Sequence, residues 1–163
     1  MTSRIPNIFN KNKSKNKKTF ISYLVCGDPS KDITLSAMHT MSKSGVDIIE
    51  LGIPFTDPIA DGPTIQKSID RSLKNNTSLR DVISVVKEFR KDNNDTAVVL
   101  MGYMNPVHKM GIDKFAKQIN DTGVDGVLIV DSPPEESVML NKYLTKYKNC
   151  LLYTSDAADD IGR

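Results

Sequence analysis

Two hydrophobic patterns alternate along most of this chain: short continuous apolar runs, and polar stretches with apolar residues at helical spacing. Residues 18–25 (KTFISYLV) are rich in β-branched and aromatic side chains and lead into Gly27-Asp28-Pro29, a turn signal, which predicts a first strand. Over 32–44 the apolar positions Leu35, Met38 and Met41 recur at helical spacing until Gly45 stops them. A second strand is predicted over 47–51. A short helix over 64–74 follows, with Ile65, Ile69 and Leu73 on one face. Thr77 or Ser78 can cap the next helix, whose stripe is Leu79, Val82, Ile83, Val86 and Phe89. Strand three is predicted over 97–101 and its helix over 111–121, through Ile112, Phe115 and Ile119. Strand four falls at 126–130, with Pro133 and Pro134 opening a helix that runs to about residue 147.

Four such alternations predict parallel strands joined by right-handed crossovers, an α/β architecture. A closed (β/α)8 TIM barrel needs eight strands and typically about 250 residues. These 163 residues supply about four βα units and the start of a fifth strand at 150–154. The expected fold is therefore a TIM barrel truncated to its first half over 1–154. Residues 155–163 (SDAADDIGR) carry no apolar period and read as a non-native or disordered tail. A naturally short half barrel is the weaker alternative, because it would expose two strand edges.

The polar exceptions to the pattern carry the chemistry. In the stretch 48–63, IIELGIPFTDPIADGP, Glu50 interrupts a strand whose other residues are apolar. A carboxylate there must be paired, hydrogen-bonded or shifted in pKa, since an unpaired buried charge is costly. Gly52 and Pro54 end the strand, and Pro58, Gly62 and Pro63 stiffen a loop holding Asp57 and Asp61. A carboxylate on a strand facing a carboxylate-bearing loop is the layout of a βα-barrel active site.

The string ELGIPFTDPIADGPTIQ resembles the signature of the tryptophan synthase α subunit family. FISYLVCGDPS, VVLMGYMNPV and VDGVLIVDSPPEES are similar to that family's first, third and fourth strand regions. The resemblance covers nearly the whole chain, about residues 4–148. It implies a barrel lyase that cleaves indole-3-glycerol phosphate to indole and glyceraldehyde 3-phosphate in tryptophan biosynthesis. It also implies an α2β2 complex with a β subunit that receives the indole. No cofactor is expected in this subunit, since pyridoxal phosphate belongs to the β subunit. Carried over by motif position, Glu50 and Asp61 are the catalytic carboxylates. Tyr23, Ile65, Met101, Tyr103 and Leu128 fall on positions lining the indole slot. Asp57, Asn105, Pro106, Asp131 and Pro133 fall on loops that meet the β subunit, with Asp131 expected to couple to the Asp57 loop. A short helix over 4–10, below the barrel, is implied as well.

The proposed roles suit the residue types. Carbon–carbon cleavage here needs a carboxyl group that donates and accepts protons, best with a raised pKa, and the strand around Glu50 would desolvate it. A second carboxylate can hold the indole N–H and stabilise positive charge on it, which suits Asp61 in its more polar loop. The loops after strands seven and eight, which bind phosphate in such barrels, have no counterpart in these residues.

Composition narrows the rest. Net charge is +2, with 22 basic and 20 acidic residues, so no global field points to nucleic acid. The cluster Lys11, Lys13, Lys15, Lys17 and Lys18 lacks interleaved aromatics and reads as a solvated connecting segment. No apolar stretch reaches the roughly 20 residues of a membrane span, and no signal peptide opens the chain. Cys26 and Cys150 have no motif spacing and read as reduced thiols in a cytoplasmic protein. His39 and His108 make no metal set. The alternative from a different class is a non-catalytic module that only binds and activates a β subunit. Loss of Glu50 or Asp61 would have favoured it, and both are present.

Overall fold

The computed structural model describes residues 3–132, 138–147 and 151–154. Five strands, β1 (Ile21–Val25), β2 (Ile48–Gly52), β3 (Ala97–Gly102), β4 (Gly126–Ile129) and β5 (Leu151–Thr154), form one sheet in chain order. Every pairing is parallel. Helices α1 (Ile5–Ser14), α2 (Lys31–Lys43), α3 (Pro63–Lys74), α4 (Leu79–Asp92), α5 (Met104–Met110), α6 (Ile112–Thr122) and α7 (Val138–Tyr147) supply the plug and the crossovers. Parallel strands in unbroken sequential order form the wall of a (β/α) barrel.

The strand period of two divides the apolar residues into two clusters of unequal size. Ile49 and Leu51 of β2, Val98 and Leu100 of β3, and Val127 and Ile129 of β4 face outward. They pack with Met38 of α2, Val82, Val86 and Phe89 of α4, and Phe115 and Ile119 of α6. Each such fully buried side chain contributes about 1.5–3 kcal/mol through removal from water. On the opposite face Ile48, Ala97 and Val99 form a smaller cluster with Ile5 of α1, against which Ile8 and Leu128 pack. That is the barrel's inner face, and α1 plugs the end of it near the strand N-termini.

One buried acid pins that plug. Asp125, just before β4, is 1% exposed and accepts hydrogen bonds from the backbone N–H of Arg4 at 2.8 Å and of Val98 at 2.9 Å. The guanidinium groups of Arg4 and Arg90 donate to it at 3.0 and 2.8 Å. The acid thereby joins α1, β3 and α4 at one point, and its lone pairs are well used, as buried charges require.

The element order follows the periodicity, with shifts at several element ends, such as β1 beginning at Ile21 and not at 18. Helix α1 extends to Ser14, so Lys11 and Lys13 are helical, and all five lysines of the N-terminal cluster are exposed. Helix α5 was not expected at all. Helix α3 begins at Pro63 behind Gly62, one residue early, with proline supplying the fixed φ of a first helical position. The expectations placed on Pro133, Pro134, Cys150 and residues 155–163 lie outside the described residues. No helix among the described residues is long and apolar enough to cross a membrane.

Candidate active site

Glu50 sits mid-strand on the inner face, between Tyr23 of β1 and Val99 of β3 in the parallel register. It is half-buried, and among the described residues its carboxylate has no hydrogen-bond or ion-pair partner. Desolvation alone pushes its pKa above the ordinary carboxylate value. The next inward row of the sheet, at the level of the strand C-termini, is Gly52, Met101 and Leu128. The two apolar side chains of that row are half-exposed. Tyr23 and Ile65, the latter in the first turn of α3, line one groove of about 230 Å³ together with Asp28, Ser68 and Arg71. Burial first, then the negative charge of Asp61 and its neighbours, pushes the Tyr23 phenol up, so it remains a donor.

The loop between β2 and α3 is tied down at both ends. Ile53 is buried, and its N–H donates to the Met101 carbonyl at 2.7 Å, extending the β2–β3 pairing by one bond. At the far end the Gln66 side chain donates to the Asp61 carbonyl at 2.8 Å, and Asp61 N–H donates to Pro58 at 3.1 Å. The Asp61 carboxylate itself accepts a 2.7 Å hydrogen bond from the Tyr103 hydroxyl. The same hydroxyl accepts from Ala60 N–H at 3.0 Å. Asp57 lies at the exposed tip, where its carboxylate accepts from Thr56 at 2.6 Å, and Ile59 beside it is 85% exposed.

Tyr103 therefore stands differently from the other expected slot residues. It is 2% exposed, its ring lies 5.3 Å from that of Phe55, and its hydroxyl is engaged by the loop. Asn105 and Pro106 lie in the first turn of α5 and line an open groove of about 640 Å³ with Pro54, Phe55, Thr56 and Arg80. Asp131 takes a partner the sequence did not suggest. Its carboxylate accepts from Met104 N–H at 2.8 Å, capping α5. The physical reason is local: the first N–H groups of a helix have no intrahelical acceptor, and β4 ends beside them. Pro133 lies outside the described residues.

The Asp28 carboxylate also has a partner. Arg71 of α3 grips it through two 2.7 Å bonds and Ser68 donates to it as well, which holds its pKa below the usual value. No group of three His, Cys, Asp or Glu among the described residues is arranged to hold a metal ion.

The family model of the tryptophan synthase alpha chain matches residues 9–158. The chain belongs to that family. Tryptophan synthase alpha chains of Nitrosomonas europaea and Marinobacter nauticus are 51% identical over 142 residues and 54% identical over 135 residues. Those matches cover 87% and 83% of this chain, and 52% and 50% of the relatives. The chain thus spans about half the length of the curated relatives it matches. Among solved structures, tryptophan synthase subunit alpha from Legionella pneumophila superposes with a TM-score of 0.89 at 42% identity, over 94% of this chain and 58% of that one. A tryptophan synthase complex from Pyrococcus furiosus superposes with a TM-score of 0.77 at 41% identity, over 82% and 55%. The charges of both Glu50, on β2, and Asp61, on the loop after it, act on the Tyr23 phenol. The role of Tyr103 as donor to Asp61 was not legible.

Proposed function

We propose that this chain supplies the acid–base carboxylates of a carbon–carbon lyase that releases indole and glyceraldehyde 3-phosphate from indole-3-glycerol phosphate. The observation that carries the reading is Glu50: a desolvated carboxyl, unpaired among the described residues, on the inner face of a barrel wall, with an apolar row directly above it. A carboxyl with a raised pKa keeps its proton to higher pH than an ordinary one and can deliver it. Glu50 would protonate carbon 3 of the indole, leaving positive charge on the ring nitrogen, where Asp61 would accept the N–H. The carboxylate left on Glu50 then takes the proton of the side-chain hydroxyl on the adjacent carbon, the carbon–carbon bond breaks, and its electron pair returns to the indole ring. The products are the neutral indole and the aldehyde, so atoms and charge balance. Met101 and Leu128 form the apolar floor on which the ring would lie.

In this reading the phosphate site and the remaining barrel wall lie outside the 163 residues, which by themselves are inactive. The partner is a β subunit that carries pyridoxal phosphate, and this chain needs no cofactor of its own. By the family resemblance Asp57, Asn105, Pro106, Asp131 and Pro133 belong to the loops that would meet that partner, with the complex in the cytoplasm. The Pyrococcus furiosus structure described as a complex supports the partnership. The experiment is indole release by a full-length subunit carrying these residues, compared with its Glu50→Gln and Asp61→Asn variants. Glu50→Gln is expected to lose about 10²–10⁴-fold in turnover. Asp61→Asn is expected to lose turnover with little change in substrate affinity, because the charge it meets grows in the transition state. Activity within a few-fold of the parent in the Glu50 variant would overturn the reading.

A further inference from the structure

We propose that Tyr103 is a positioning residue that sets the Asp61 carboxylate through its hydroxyl. The hydroxyl makes two hydrogen bonds to the loop between β2 and α3, one to each of two consecutive residues. It donates to the Asp61 carboxylate at 2.7 Å and accepts from Ala60 N–H at 3.0 Å. Those two contacts fix both the backbone just before Asp61 and one carboxylate oxygen, leaving the second oxygen for a ligand. Gln66 and Pro58 hold the Asp61 backbone, but among the described residues the Tyr103 hydroxyl is the hydrogen-bond partner of the carboxylate itself.

Tyr103 can do this because it is itself held rigidly. It is 2% exposed and directly follows β3, and its ring packs against Phe55. It is the N-cap of α5, and the next N–H, that of Met104, is gripped by the Asp131 carboxylate at 2.8 Å. Burial, then the hydrogen bond to Asp61, pushes its hydroxyl up to about 12, which keeps the donor proton in place. The result is a chain of contacts from the end of β4, through the end of β3, to the acid in the loop after β2. Positioning to within a fraction of an ångström matters, since small misplacements of a reacting group cost large factors in rate.

This inference rests on the lyase reading, and its test separates the two. In the full-length subunit, Tyr103→Phe keeps the ring and removes both hydrogen bonds. Hydrogen bonds to charged groups are the stronger class, so kcat should fall about ten- to a hundred-fold while KM changes less than about three-fold. The same substitution placed on Asp61→Asn should cost almost nothing further, because the acid it positions is already gone. Asp131→Ala should lower kcat in the same direction by a smaller factor, and its loss should also vanish in the Asp61→Asn background. Equal losses from Tyr103→Phe in both backgrounds would mean that Tyr103 acts through general stability, and would overturn the proposal. So would an unchanged kcat in Tyr103→Phe while Asp61→Asn is inactive, which leaves the lyase reading standing. A fully active Asp61→Asn would overturn both. If Tyr103→Phe fails to fold, the Asp131→Ala pair of measurements decides by the same criterion.

Discussion

Tyr23 lies so close over Gly52 that a Cβ added at position 52 would stand 2.9 Å from the ring carbon bearing the hydroxyl. The glycine at the end of β2 is there to admit the phenol. With Gly52→Ala the ring must shift, which changes its position relative to Glu50, its register partner on the neighbouring strand. Overpacking of this kind costs about 1–3 kcal/mol when nothing can move, and less when a half-exposed ring can. The expected outcome is a loss of about ten- to a hundred-fold in kcat/KM with only a small fall in melting temperature. Tyr23→Leu in the same background should restore part of the activity. Parent-like activity in Gly52→Ala would show that the ring position is immaterial.

Asp125 concentrates stability at the opposite end of the strands. Removing it leaves Arg90 and Arg4 without their buried counter-charge, and burial already lowers the Arg90 pKa to about 10. Asp125→Ala is expected to destabilise a full-length subunit by about 3–5 kcal/mol, the usual penalty for breaking a buried pair. Urea unfolding checks this, and a change below about 1 kcal/mol would refute it.

Glu50 should make the fold less stable as pH rises. Its folded-state pKa is raised above the ordinary value of 4.5, so the native state binds the proton more tightly than the unfolded chain does. The cost of ionising it in place is absent below about pH 4.5, grows as pH passes through the raised pKa, and is complete above it. Glu50→Gln avoids that cost. The variant should therefore unfold at higher urea than the parent at pH 7, and the difference should fade as pH falls toward 4. A difference independent of pH would point to packing alone.

The 163 residues expressed by themselves should be catalytically silent and weakly cooperative. Along the free edge of β1, Ile21 is 43% exposed, and Phe20 just before it is 56% exposed. The inner face around Glu50 has no opposing wall among the described residues. Native stability is only about 5–15 kcal/mol, so the missing contacts outweigh the margin. Circular dichroism with a thermal melt tests this. A sharp transition in a soluble monomer that also releases indole would contradict it.

The alternation of strand and helix, and with it the barrel class, was legible in the chain. Buried parallel strands must be apolar runs, and the helices covering them must carry one apolar stripe, so both leave periodic marks. Glu50 was legible for the same reason inverted: a carboxylate inside such a run stands out because its burial is costly. Its raised pKa follows from the strand in which it sits. Tyr103, Asp125 and Asp131 left no such mark. Each is an ordinary residue in its own segment, and each acquires its role from a partner far along the chain: Asp61 for Tyr103, Arg4 and Arg90 for Asp125, Met104 for Asp131. Helix α5 was hidden because seven residues are too few to show a period, and its first turn depends on an acceptor from β4. Periodicity records which face a residue turns toward the core. Hydrogen-bond partners between loops depend on how the strand ends are brought together, and only the closed packing of the sheet and its helices decides that.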